Sequence, residues 1–123
     1  MKISIIIPIY NALDDVKKCL ESVQKINFNL CNVILVNDCS DNTTTDFLKE
    51  FVKNNKHFQL LENEENLGFP KTCNRGMKAS NADVLVLLNS DTIIPKNFCE
   101  KVISCFSSDD KIGIASPLRP IMR

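Results

Sequence analysis

Glycine is scarce in this chain: its 123 residues hold only Gly68, Gly76 and Gly113. That scarcity excludes a Gly-rich phosphate cradle, because neither G-x-x-x-x-G-K nor G-x-G-x-x-G is present. A phosphate held here must be neutralised by something other than a wrapped backbone loop. An excess of charge of one sign is also missing. Lys and Arg number 15, Asp and Glu number 15, and the formal net charge is zero. The long-range field of a general nucleic-acid binder is therefore absent, and no nucleic-acid partner is expected. A local basic pocket stays open. Long apolar runs are lacking too. The run Val84 to Leu88 is far too short to span a bilayer. The N-terminus has no small-residue cleavage site and reads as a first strand rather than a signal peptide. The six cysteines, at 19, 31, 39, 73, 99 and 105, include no C-x-x-C pair. That argues against zinc and redox motifs and for free structural thiols in a reducing cytoplasm. His57 is the only histidine and opens a strand, far from Ser40, Ser90 and Ser116, so a hydrolase triad is not supported.

What is present is globular material for one domain. Hydrophobic residues make up 44% and charged residues 24%, a balance that argues against disorder. Ile3 to Ile7, Val33 to Val36 and Val84 to Leu88 are nearly continuous apolar runs. Runs without polar alternation predict strands buried on both faces, as in a parallel sheet covered by helices. Phe58 to Leu61 and Ile112 to Ala115 are weaker strand candidates. Between the runs lie helical stripes. Leu13, Val16, Leu20 and Val23 form one, with Asn11 as the expected N-cap. Phe47, Leu48, Phe51 and Val52 form another, led in by Asp41. Phe69 to Ser80 is a third, and Phe98, Val102 and Cys105 mark a fourth, with Pro95 as its expected first residue. The order predicts an α/β fold: an open, mostly parallel, Rossmann-like sheet flanked by helices, with right-handed crossovers.

In such a sheet, ligands bind beyond the carboxyl ends of the strands. The residues that follow each run therefore belong together: Pro8, Ile9, Tyr10 and Asn11; Asn37, Asp38, Cys39 and Ser40; Glu62 to Gly68; and Asn89, Ser90 and Asp91. Taken singly, each has an ordinary explanation. Asp and Asn after a strand are common turn formers, and Tyr10 alone suggests packing. The joint pattern carries more. Asp91 is a hard oxygen ligand suited to Mg²⁺ or Mn²⁺, which commonly bridge one or two carboxylates to phosphates. A single carboxylate is a weak site, so the ligand's own phosphates must complete it. Gly68 permits an unusual turn or a close approach. Lys71 and Arg75, four apart, share a helix face. Lys71 reads as solvated and Arg75 as functional.

Four segments in order, Ser4 to Asn11, Val36 to Asp41, Asn66 to Gly76 and Leu88 to Asp91, resemble the N-terminal half of the family 2 glycosyltransferases, inverting enzymes of the GT-A fold. The resemblance covers Ser4 to Asp91. It implies that the whole chain, 1–123, is the part that binds a nucleotide-diphosphate sugar, UDP- or dTDP-linked. Pro8 and Tyr10 would line the base and ribose pocket, and Asp38 would hydrogen-bond the pyrimidine. Arg75, with Gly68 nearby, would lie close to the base or diphosphate. Asn89-Ser90-Asp91 matches the family's D-x-D motif, with Asp91 as the metal ligand, Asn89 near the ribose and Ser90 between them. Asn in the first position is tolerated among rhamnosyltransferase-like relatives. The acceptor, a glycan or lipid-linked, would meet a C-terminal half that family members carry beyond this chain's end.

An inverting transfer needs a base at the acceptor hydroxyl. Asp109 and Asp110 are the only acids after Asp91 apart from Glu100, and following the fourth helix they are expected at the wrong edge, so no catalytic residue is assigned and transfer by this chain alone is not expected. The expected setting is the cytoplasm, with room for peripheral association at the inner face of a membrane. Two alternatives remain: a non-catalytic nucleotide-binding or interaction module that self-associates through exposed apolar surface, and a phosphoacceptor receiver, which would need acids just after the first strand.

Overall fold

The computed structural model describes residues 2–107. Four strands and four helices alternate: β1 (Ile3–Ile9), α1 (Leu13–Val23), β2 (Cys31–Asn37), α2 (Asn42–Lys53), β3 (Phe58–Glu62), α3 (Phe69–Lys78), β4 (Val84–Leu87) and α4 (Phe98–Ser107). The strands form one parallel sheet in the order β3-β2-β1-β4. The expected open α/β architecture is therefore present. The strand candidate Ile112 to Ala115, and the acids Asp109 and Asp110, lie outside the described residues.

Continuous apolar composition has its expected consequence at the centre of the sheet. Every residue of β1 is buried, and so is all of β2 except Asn32. The strand parity divides the core. Ile3, Ile5, Ile7 and Ile9 of β1, with Val33 and Leu35 of β2, face the stripes of α1, α2 and α4. Ile6, Ile34 and Val36 face the other way, with Met77 of α3 against them. Among the described residues, α3 is the helix that covers β1 and β2 on that side.

That one-helix cover corrects one expectation. Val84 to Leu88 predicts a strand buried on both faces, yet Leu85 and Leu87 are 40% and 47% exposed. They pair in register with Ser4 and Ile6, on the face that α3 covers over β1 and β2, and β4 is the sheet's edge among the described residues. Val84, Val86 and Leu88, on the opposite face, pack into the larger core.

Two helix starts also differ from expectation. Asn11 does not cap α1. The cap position is Ala12, in the left-handed region, with no side-chain cap bond. Asn11 instead uses its side-chain oxygen on the N–H of Asp41, 2.8 Å away, which ties the end of β1 to the start of α2. Pro95 precedes α4 by a turn, and its carbonyl accepts from the N–H of Phe98, the first helical residue. Asp41 does cap α2, accepting from the N–H of Thr44 at 2.9 Å.

Candidate functional site

The strand order changes direction between β1 and β4. Chain progress from β1 to β3 moves one way across the sheet, and β4 returns to the far side of β1. Such a switch point opens a crevice at the carboxyl edge. A cleft of about 490 Å³ lies there. Pro8 and Ile9 line it from β1, with Tyr10 just after that strand and Asp38 just after β2. Asn66, Gly68, Phe69 and Thr72 close one side, and Asn89, Ser90 and Asp91 the other. Of the residues singled out by sequence, the structure brings Pro8, Tyr10, Asp38, Gly68, Asn89, Ser90 and Asp91 to this one cleft. Arg75 does not line it.

The rim is held in unusual backbone conformations. Asn11, Ala12 and Cys39 have φ of 54°, 55° and 59°, the only non-glycine residues with positive φ among those described. Each costs of order 1 kcal/mol or more and persists only where neighbours enforce it. The enforcing bonds are visible. The N–H of Asn11 donates to Ser40 Oγ at 2.9 Å, the N–H of Ser40 to Asn37 Oδ1 at 3.1 Å, and the N–H of Asp38 to the carbonyl of Ile9 at 2.7 Å. Gly68, at φ 89° and ψ 167°, occupies a region that is essentially glycine's alone.

Asp38 is the most heavily supported group of the site. Its side chain is buried, yet Oδ1 accepts from the N–H of Leu67 at 2.7 Å and from Asn63 Nδ2 at 2.9 Å, and Oδ2 accepts from the N–H of Gly68 at 3.0 Å. Burial by itself pushes its pKa up. The donors Leu67, Asn63, Gly68 and Thr72 together outweigh burial and hold the carboxyl below its ordinary value. Asp38 is therefore an ionised acceptor at neutral pH.

Opposite, the half-buried Asp91 sits in a turn closed by the N–H of Thr92 on the carbonyl of Asn89 at 3.1 Å. The turn rests on α1. The Cys19 thiol reaches the Asn89 carbonyl at 3.9 Å, and Ser22 Oγ accepts from the N–H of Ile94 at 3.1 Å. Burial pushes the Cys19 thiol up to about 12, and the Asp91 carboxylate adds to that rise, so the thiol is neutral support. Among the described residues no group of three or more His, Cys, Asp and Glu side chains is placed to hold a metal ion. Asp91 therefore fits Mg²⁺ or Mn²⁺ only as a ligand shared with a bound diphosphate, the arrangement magnesium favours.

A family model described as glycosyl transferase family 2 matches residues 4–121. The chain belongs to this family. Poly-beta-1,6-N-acetyl-D-glucosamine synthase of Staphylococcus aureus (strain MSSA476) is 27% identical over 111 residues, 90% of this chain and 27% of that protein. EpsH of Bacillus subtilis is 27% identical over 114 residues, 93% of this chain and 33% of EpsH. The chain thus spans about a third or less of the curated relatives it matches. Among solved structures, S. aureus TarS in complex with UDP superposes with a TM-score of 0.78 at 23% identity, over 95% of this chain and 38% of TarS. Mannosyltransferase PcManGT from Pyrobaculum calidifontis, in complex with GDP-Man and Mn²⁺, superposes with a TM-score of 0.70 at 17% identity, over 76% of this chain and 28% of PcManGT. These likenesses make the chain a glycosyltransferase domain of the GT-A fold by resemblance.

Within this family 2 domain the remaining sequence candidates separate clearly. Arg75 turns toward the end of β3, where Nη1 donates to the Glu62 carbonyl and, at 2.8 Å, to Asn63 Oδ1. Lys71 is exposed. His57 is exposed at the amino end of β3, stacked on Phe28 with ring centroids 4.6 Å apart, at the edge away from the cleft. Glu100 lies at that same edge, accepting from Asn27 Nδ2. Three residues were not singled out by sequence, although Asn63 fell within the stretch Glu62 to Gly68. Asn63 and Thr72 are buried beside Asp38, and Phe69 lines the cleft with 55% of its surface exposed. Asn63 and Phe69 carried a readable signal, one following β3 directly and the other following Gly68. Thr72 carried none, being one polar residue within a helix.

Proposed function

We propose that this chain binds the nucleotide-diphosphate sugar of a glycosyltransferase that transfers the sugar to a glycan or lipid-linked acceptor. One observation carries the reading: an ionised, buried carboxylate at the end of β2 and an accessible carboxylate after β4 line a single cleft. The two ends suit the two ends of a nucleoside diphosphate. Tyr10, 56% exposed, and Phe69 offer aromatic faces near Asp38 on which a base can stack. Pro8 adds a rigid apolar wall. Gly68 brings backbone close to the cleft. Asn89 and Ser90 offer an amide and a hydroxyl to ribose. Asp91, with the diphosphate, would hold Mg²⁺ or Mn²⁺, which would neutralise phosphate charge and assist departure of the nucleotide. The TarS complexes with UDP and UDP-GlcNAc, and PcManGT with GDP-Man and Mn²⁺, favour this use of the fold. No described residue is assigned as the base that deprotonates the acceptor, and the proposal concerns the donor side of the reaction. A cytoplasmic setting, where nucleotide sugars are made, belongs to the same proposal. Among the described residues no helix is long and apolar enough to cross a membrane.

Isothermal titration with UDP- and dTDP-sugars, with and without Mn²⁺, tests the reading. Binding is expected for at least one donor, strengthened by Mn²⁺. Asp91→Ala is expected to remove the Mn²⁺ effect while leaving metal-free binding within about twofold, because a half-buried carboxylate across the cleft contributes little to the base end. No heat in any combination overturns the proposal, and a persisting Mn²⁺ effect removes Asp91 from the site.

A second reading has one observation in its favour. Leu85 and Leu87 present apolar surface on β4, the edge strand among the described residues, which suits a non-catalytic module that self-associates. Size-exclusion chromatography separates the two. A dimer without nucleotide affinity favours the module.

A further inference from the structure

Asn63 is 6% exposed and every polar atom of its side chain is engaged. Its Nδ2 donates to Asp38 Oδ1 at 2.9 Å and to Thr72 Oγ1 at 3.0 Å, and its Oδ1 accepts from Arg75 Nη1 at 2.8 Å. The partners fix the amide's orientation. Reversed, it would set oxygen against a carboxylate and nitrogen against a guanidinium. Its backbone N–H is tied to the Asn37 carbonyl at 2.9 Å, one residue before Asp38. A cation, an amide and a carboxylate therefore run in series from the exposed Arg75 to the cleft, and each polarises the next.

The geometry points to Asn63 as a positioning residue, which aims the Asp38 carboxylate so that it accepts a ring N–H of the nucleotide base, with Arg75 holding Asn63 in turn. This rests on the donor-site reading above and deepens it. A carboxylate offers about four acceptor positions. The bonds from Asn63, Leu67 and Gly68 take three. The remaining donor, the Thr72 hydroxyl, is a rotor that can yield the fourth to an incoming N–H. An ionised carboxylate only accepts, so the base edge that meets it must donate. The ring N–H between the two carbonyls of uracil or thymine does so. The ring nitrogen at the same place in cytosine is itself an acceptor and is repelled. Arg75 does not line the cleft, and its side-chain hydrogen bonds go to Glu62 and Asn63. It acts on the base through Asn63.

The test is calorimetric titration of the full chain with UDP and with CDP, both in Mn²⁺. The unaltered protein is expected to prefer UDP by about 100-fold, the scale of one charge-assisted hydrogen bond. Asn63→Ala is expected to shrink that preference to about 10-fold or less, by weakening UDP more than CDP. A purely structural role would weaken both equally and leave the ratio alone. Arg75→Gln, at an exposed position, is expected to shrink the ratio in the same direction and serves if Asn63→Ala does not fold. A UDP/CDP ratio unchanged within about twofold in the variants overturns the positioning role. Equal binding of UDP and CDP by the unaltered protein overturns the N–H readout, while binding of neither overturns the donor-site reading itself.

Discussion

Asp38→Ala is expected to destabilise the fold by about 3 kcal/mol and to weaken UDP binding by about 100-fold or more. The stability loss comes from what the substitution leaves behind. The N–H groups of Leu67 and Gly68 and the amide of Asn63 converge on this carboxylate. Without it, three donors at a buried spot lose their acceptor together, and desolvated donors cost more than the bonds they made. The loop from Asn63 to Gly68 loses its anchor to β2 at the same moment, so one wall of the cleft loosens. The sign of the pH dependence follows from the lowered pKa. The carboxylate's contribution is fully present above the ordinary aspartate value of about 3.9 and is lost as pH falls through the lower folded value. Urea midpoints of the two proteins should therefore differ by a constant amount from pH 8 to pH 5 and converge only in strong acid. Convergence near pH 6 would mean that Asp38 is not held ionised.

Gly76→Ala should be nearly as damaging, for a steric reason. In an exposed helix, alanine in place of glycine gains about 1 kcal/mol. Here a Cβ would collide with Ile6 Cγ2 and press on Val36 Cγ2 at 3.0 Å. Both are fully buried in the middle of the sheet and cannot yield. Overpacking wins, and the net loss is about 2 kcal/mol, or roughly 8 °C in thermal midpoint. Because α3 also carries Thr72 and Arg75, nucleotide affinity should fall with it. Thermal unfolding by circular dichroism reads the first effect, and an unchanged midpoint would mean that α3 does not sit this close to β1.

Much of the architecture was legible because burial on both faces writes itself into the letters. Ile3 to Ile7 and Val33 to Val36 have no polar alternation, and they are the two central strands. Val84 to Leu88 carries the same signature yet leaves Leu85 and Leu87 exposed, since composition records which side chains are apolar and not what covers them. The candidate cleft was legible where a residue lies just past a strand, as Tyr10, Asp38 and Asp91 do, because parallel strands deliver such residues to one edge. The roles of residues acting through others were not, even where, as with Asn63, the position was. Thr72 lies within a helix, and Asn63 gains its role from contacts with Asp38 and Arg75 that are 25 and 12 residues away. Arg75 was expected near the base or diphosphate, from its place between Asn74 and Gly76 and from the family resemblance, and its guanidinium hydrogen-bonds to Glu62 and Asn63. Asn11 looked like a cap by position, and the left-handed turn at Ala12 took that place.

The central claim is that Asp38 and Asp91 grip opposite ends of one ligand. Nuclear magnetic resonance of the isotope-labelled chain tests it most directly. UDP is expected to shift the amide signals of Tyr10, Asp38 and Gly68. Trace Mn²⁺ added to that complex is expected to broaden Asn89, Ser90 and Asp91 first, and to do so far less when UDP is absent. Mn²⁺ that broadens other carboxylates first, or UDP shifts that spare the Asp38 side of the cleft, would contradict the account.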